Sequence, residues 1–342
     1  MGGRGQQIFA CSVCITAAVW AIQLARADAA FHEGAPEGVA RAIAMLPHNT
    51  EYLALGGLQR EYDGADSTAQ WLRIAELSPT SSGPRLALGL AAEQRGDLAQ
   101  AERWLLAAYA VDHQFEPRWT LANFYFRQGR AEEFWIWIRS ALEVSYGDRR
   151  PAFELCWRMS QDAERILRAI PDQEDVAADY LAFVMDRPEA VASAARKVHR
   201  AGILQTATDV LLDGARYSDA VAVWQQAGHP APQGPTGFGW RWNDAPGVTH
   251  RNTRIELSGG QPEALEMARQ YVGGLRPGAD YKVEWENAPQ LPGLTWRVND
   301  RPVTEFRAAS ELALVSLWYE RPRGEARAEA SFDLRGVSLL LQ

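Results

Sequence analysis

A 33-residue unit stated twice in succession constrains this chain more than any other feature of its sequence. Pro84, Leu88, Gly89, Gly96, Leu105 and Ala108 return 33 positions later as Pro117, Leu121, Ala122, Gly129, Ile138 and Ala141. The same interval backwards reaches Leu55, Gly56, Leu72 and Ala75, so the period runs through three units. A fixed period of this length marks a solenoid, whose units cannot bury an apolar face alone and stack on one another. Such a stack presents an extended surface, which suits a partner-binding scaffold.

The residues kept in each unit have physical reasons. Pro84 suits the first turn of a helix, where its fixed φ fits and its missing N–H would have had no partner. Leu88 and Ala91-Ala92 place an apolar stripe on that helix, Gly96 supplies a C-terminal stop, and Asp97 is a natural N-cap for the next helix. On the second helix Leu98, Ala101, Leu105 and Ala108 lie three to four residues apart and share a face. Small residues at Gly89, Ala101 and Ala108 let helices approach closely, while Trp104 and Leu105 fill the larger gaps. The pattern Leu88-Gly89, then Ala101, Leu105 and Ala108, resembles the tetratricopeptide repeat. It departs from that family where Ala92 stands for a tyrosine that Tyr125 restores one unit on, and where Phe134 replaces the small residue of Ala101.

The chain's 342 residues exceed what one core usually organises, and 47% hydrophobic with 23% charged residues is ordinary for a folded protein. The net charge is −8 for the whole chain and −9 for the helical region, residues 28–233. That region would repel phosphate backbones, so nucleic acid is not expected as a partner.

Arg4 precedes an uncharged apolar run over residues 8–24, which reads as a membrane-targeting segment. Ala25-Arg26-Ala27 and Ala27-Asp28-Ala29 offer small-x-small cleavage sites. Against cleavage stand Trp20 near the outer end and the absence of a turn before the next helical pattern, Val39, Ile43 and Leu46. A retained anchor over residues 1–27 is the expectation, with the bulk outside the cytoplasm because Arg4 lies before the run. Secretion after cleavage is the alternative. Cys11 and Cys14 lie within the run and Cys156 is alone beyond it, so no disulfide framework is expected.

Helical repeats are expected over residues 28–227, loosening after Ala141: Pro151, Leu155 and Cys156 continue the period, and Pro188 and Gly214 break two further helix pairs. Phe153-Glu154-Leu155-Cys156-Trp157-Arg158-Met159-Ser160, with Asp162 and Ile166-Leu167 after it, is similar to a segment of bacterial envelope tetratricopeptide proteins. Those proteins combine a membrane anchor, degenerate repeats and a C-terminal jelly-roll domain. The resemblance implies a single-pass inner-membrane protein with its bulk in the periplasm.

Residues 228–239, rich in glycine and proline, read as a linker, beyond which the apolar period changes from helical to two-residue. Tyr281, Val283 and Trp285 alternate with polar residues, as do Leu294, Trp296 and Val298. The apolar stretch at 312–319 suits a central strand, and a phase shift at Gly336 suggests a bulge. Leu275-Arg276-Pro277-Gly278 suits a type II turn. A β-sandwich of about eight strands is expected over residues 240–342, and the turn before Tyr281 resembles jelly-roll carbohydrate-binding modules.

The six histidines have no metal-like spacing, and no nucleophile elbow, P-loop or dinucleotide fingerprint occurs. Glu284 and Glu286 share a strand face but read as surface. Neither enzymatic activity nor a cofactor is expected. Two function classes remain: an assembly scaffold in an envelope complex, such as one making or exporting polysaccharide, and a glycan-binding module carried on a helical stalk. For the first, Trp119, Asn123 and Arg127 follow four-residue steps on a first helix and are candidates on the concave face; packing between units is the competing role of Trp119. For the second, Trp240 and Trp242 flank Arg241 beside Asn243 and Asp244, and sugar C–H faces stack on such rings. An inward pair that closes the sandwich is the competing reading.

Overall fold

The computed structural model describes residues 2–342. They divide into two compact units, one ending at Gln161 and one beginning at Asp162.

The first unit is helical: α1 Gly2–His32, α2 Pro36–Met45, α3 Thr50–Tyr62, α4 Thr68–Leu77, α5 Gly83–Gln94, α6 Leu98–Val111, α7 Phe115–Arg127, α8 Ala131–Glu143 and α9 Arg150–Met159. From Cys11 to His32, α1 is long and apolar enough to cross a membrane, and no other helix among the described residues is. Its side chains are exposed from Cys11 to Arg26. Then the character of the helix changes without a break. Ala27 and Ala30 are buried with Ala42, Leu46 and Tyr52, and the Phe31 ring stacks on Tyr52 with centroids 4.6 Å apart. Close approach of α1 and α2 depends on small residues, since a Cβ on Gly38 would strike the Ala30 carbonyl oxygen.

The period is visible in the helix ends. Gly64, Gly96 and Gly129 adopt φ of +72°, +81° and +68°. After each, the next amide closes back on a carbonyl five residues earlier: Ala65 to Arg60 at 2.7 Å, Asp97 to Ala92 at 3.0 Å and Arg130 to Tyr125 at 3.0 Å. This stop satisfies orphan carbonyls, and glycine adopts its left-handed residue without steric cost. Asp97 caps α6 by accepting the Gln100 amide at 3.0 Å. Pro84, Pro117 and Pro151 all stand in first turns, Pro84 and Pro151 as the second residues of α5 and α9 and Pro117 as the third of α7.

Ala101, Leu105 and Ala108 of α6 are fully buried, as are Phe134, Ile138 and Ala141 of α8. In α4 the expected pair Leu72 and Ala75 does not face the core. Trp71 and Ile74 do, while Leu72 stays 39% exposed. One residue turns a helix by about 100°, and the bulkier Trp71 takes the buried position. Glu102 of α6 is tied to the following repeat, accepting from Tyr125 Oη at 2.8 Å and pairing with Arg130 at 2.8 Å.

The second unit opens with α10 Ala163–Ala169, α11 Glu174–Phe183, α12 Pro188–Ala195, α13 Ala201–Asp213 and α14 Tyr217–Gln226. Eleven strands follow: β1 Thr236–Gly237, β2 Arg241–Trp242, β3 Val248–Arg251, β4 Arg254–Ser258, β5 Ala264–Gly273, β6 Asp280–Trp285, β7 Leu294–Val298, β8 Glu305–Arg307, β9 Leu312–Glu320, β10 Glu329–Asp333 and β11 Val337–Leu341. They form three antiparallel sheets. One runs β1-β5-β9-β7 with β2 also on β5, and the others are β10-β4-β3 and β11-β6-β8. One core joins them: Met267, Val315, Leu317 and Trp296 meet Ile255, Leu257, Tyr281, Val283, Phe332 and Leu339. The central place of β9, flanked by β5 and β7, explains its apolar run.

The turn at Pro277-Gly278 forms as expected, with Gly278 at φ +82° and the Ala279 amide on the Arg276 carbonyl at 3.1 Å. The bulge does not fall at Gly336. Residues 334–336 join β10 to β11, which belong to different sheets, and the irregular step lies in β5 between Glu266 and Ala268. Residues 228–239 end in an anchored stretch: β1 pairs with β5, and the buried Phe238 ring packs edge-on against Tyr217 and Trp224.

Candidate protein-binding groove

Each repeat of the first unit turns one face of its second helix into the stack. Its first helix must then serve two sides. Leu88 and Gly89 of α5 face inward, so Leu90, about 200° around the helix from Leu88, cannot join them. It is 40% exposed, and Leu58 of α3 is 53% exposed. Both line a groove of about 580 Å³ between α3 and α5. Trp71 and Ile74 of α4, with Ser78 just past its end, also line it, and its walls carry Ala54, Ala87 and Ala91, whose small side chains leave depth between the leucines.

Carboxylates surround this apolar strip. Glu51, Glu61 and Glu116 line the groove, and no arginine or lysine does. Glu61 is held in place, its Oε1 accepting from Trp71 Nε1 and Ser67 Oγ, each at 2.6 Å. The surface can therefore receive apolar side chains along its length and cations at its margin. The sequence carried a signal for it in Leu88-Gly89-Leu90, where two leucines two residues apart cannot share one helix face.

Trp119, Asn123 and Arg127 lie along α7, one repeat further on. Trp119 is half-buried, stacks on Phe115 with centroids 5.9 Å apart, and lines a hollow of about 180 Å³ with Tyr146 and Pro151. Asn123 donates Nδ2 to the Trp119 carbonyl at 2.9 Å, within its own helix. Arg127 makes a two-pronged pair with Glu93 of α5, at 2.8 and 2.7 Å. The three share a helix, but Asn123 and Arg127 have partners within the first unit.

In the second unit Arg241 and its neighbouring tryptophans part company. Arg241 reaches α13, pairing with Asp213 at 2.8 Å and Asp209 at 3.1 Å. Burial raises the Asp209 carboxyl pKa although the Arg241 charge opposes it. Trp240 and Trp242 are half-buried against the sheet core. Trp240 lies 6.2 Å from Trp296, and Trp242 stacks on His250 at 4.9 Å. Glu284 and Glu286 are exposed.

Among the described residues no group of three or more His, Cys, Asp or Glu could hold a metal ion. Cys156 is buried, which pushes its thiol up to about 12 and leaves it unreactive at neutral pH.

No family model matches the chain, and no curated protein does. Among solved structures it is similar to PilW, a widely conserved type IV pilus biogenesis factor, at 13% identity over 61% of this chain and 91% of that one, with a TM-score of 0.34. A tetratricopeptide repeat protein from Parabacteroides merdae is 11% identical over 61% of this chain and 92% of that one, with a TM-score of 0.36. The APC/C hetero-tetramer Cut9-Hcn1 matches at 14% identity and a TM-score of 0.32; the match covers 57% of this chain but only 36% of that one. What these proteins assemble with is a property of theirs alone.

Proposed function

We propose that this chain is a non-enzymatic scaffold of the cell envelope, anchored in the membrane by residues 8–24, that holds a protein partner on the first helices of its repeats. The observation that carries this reading is the open groove between α3 and α5, where Leu58 and Leu90 stay exposed beside buried neighbours. Exposed leucines gathered in one groove are what a docking surface requires.

The anchor is supported by the double use of α1. Its outer part is exposed and apolar, and its end is packed into the first helix pair through Ala27, Ala30 and Phe31. Cleavage after Ala27 or Ala29 would cut into that buried cluster. The finer assignment, to a complex handling polysaccharide, stays with the resemblance of the segment around Cys156.

Photo-crosslinking of the full chain in its native membrane tests the scaffold reading. A crosslinking side chain at Leu90, in the groove, is expected to capture a discrete protein. One at Leu106, on the outward side of the second helix α6, is expected not to. Equal capture from both positions, or none from Leu90, would contradict the reading.

A further inference from the structure

The groove between α3 and α5 has a chemistry that narrows its occupant. Its apolar lining sets the small Ala54, Ala87 and Ala91 among Leu58, Leu90, Trp71 and Ile74, so it offers hollows for large aliphatic side chains rather than a flat surface. Its volume of about 580 Å³ is enough for several such side chains.

Charge gives the second constraint. Glu51 and Glu116 sit in the first turns of α3 and α7, and Glu61 is fixed near the end of α3 by Trp71 and Ser67. These three carboxylates have no cationic side chain among the groove's lining. All three carboxylates are exposed at the margin of the apolar strip, so they attract a cation in a salt-dependent way and repel an acidic ligand.

Secondary structure gives the third. The described residues of the first unit form helices and offer no sheet edge to which an extended peptide could add. A trough between two helices fits a third helix, read through apolar residues at i, i+3, i+4 and i+7.

We infer that the groove takes a basic amphipathic helix of the partner, with leucine-type side chains against Leu58 and Leu90 and lysine or arginine side chains against Glu51, Glu61 and Glu116. This rests on the scaffold reading and narrows it to one ligand chemistry. It also predicts which partners are refused: acidic tails and strongly acidic helices meet like charge at every lining carboxylate.

The test uses the purified full chain in detergent and fluorescence anisotropy with labelled synthetic peptides. The first is a helix of about 16 residues with leucines at i, i+3, i+4 and i+7 and lysines on its flanks. The second replaces the lysines by glutamates, and the third scrambles the leucine spacing at constant composition. The lysine peptide is expected to bind, and to weaken at least about fivefold between roughly 50 and 300 mM salt. The glutamate and scrambled peptides are expected to bind about tenfold more weakly or not at all.

Two variants locate the site. Leu58→Ser with Leu90→Ser is expected to cost about tenfold in affinity, the scale of a lost hot spot, with the melting curve retained because both side chains already face solvent. Glu51→Gln with Glu116→Gln is expected to flatten the salt dependence. Equal binding of the scrambled or glutamate peptide, or wild-type affinity in the leucine pair, would overturn the inference. So would absence of binding by the lysine peptide. If crosslinking from Leu90 still captures a protein in that case, the scaffold reading stands and only the ligand chemistry falls.

Discussion

Single residues hold the repeats together, and their roles can be tested one at a time. A Cβ at Gly89 would lie 2.6 Å from Leu105 Cδ2, in a buried and filled contact. Gly89→Ala should therefore destabilise the first unit by about 1–3 kcal/mol through overpacking, although alanine usually favours a helix; a denaturant titration reads this directly. Ala215 shows the reverse. It ends α13 at φ +57°, closing the same stop that glycines close elsewhere, with the Arg216 amide on the Leu211 carbonyl at 2.8 Å. Ala215→Gly should stabilise by roughly 0.5–1 kcal/mol, since glycine meets no Cβ penalty there. Glu102 links pH to stability. The Arg130 guanidinium, followed by the Tyr125 hydroxyl, holds its carboxyl below the ordinary range. A lowered carboxylate pKa adds stability above the ordinary value, and that stability is lost as pH falls through the lowered one. Glu102→Gln should cost roughly 1 kcal/mol at pH 7, discounted for the solvent reaching both side chains, and the difference should shrink as pH is lowered toward 3.

At the scale of elements, what the sequence made legible followed local rules. Gly96 and Asp97 announced a stop and a cap, and Pro277-Gly278 announced its turn, because each acts through its own backbone geometry. Decisions taken by packing were harder to read. Leu72 and Trp71 are adjacent and both apolar, so the sequence alone could not say which would face inward; the larger ring took the site. Gly336 looked like a bulge because the apolar phase changes there, yet the chain is crossing between sheets. The groove itself was half legible. Leu90 stood out of phase with Leu88, but only the fold shows Leu58 lining the same trough. The β1 and β2 region carries its own prediction. Trp242 rests on His250 and the sheet core, so Trp242→Ala should destabilise the second unit by roughly 2 kcal/mol, about half the cost at a fully buried site. A variant that melted like wild type while losing affinity for an envelope glycan would instead mark the ring as a binding residue.

At the scale of the whole molecule, the proposed role depends on α1 remaining part of the protein. The apolar run over residues 8–24 was plain in the sequence, but a signal peptide and an anchor share that signature. The packing supports the proposed anchor: Ala27 and Ala30 are buried against α2 and α3 while the helix continues unbroken from the exposed apolar part. A chain cut at either small-x-small site would lose the anchor and open the first helix pair together. The direct measurement is the amino terminus of the mature protein isolated from its native cells, read together with its behaviour in an alkaline membrane wash. A mature chain that keeps residues 8–24 and stays with the membrane pellet is the predicted result. A mature terminus between Asp28 and Phe31, with the protein released into the soluble fraction, would contradict it.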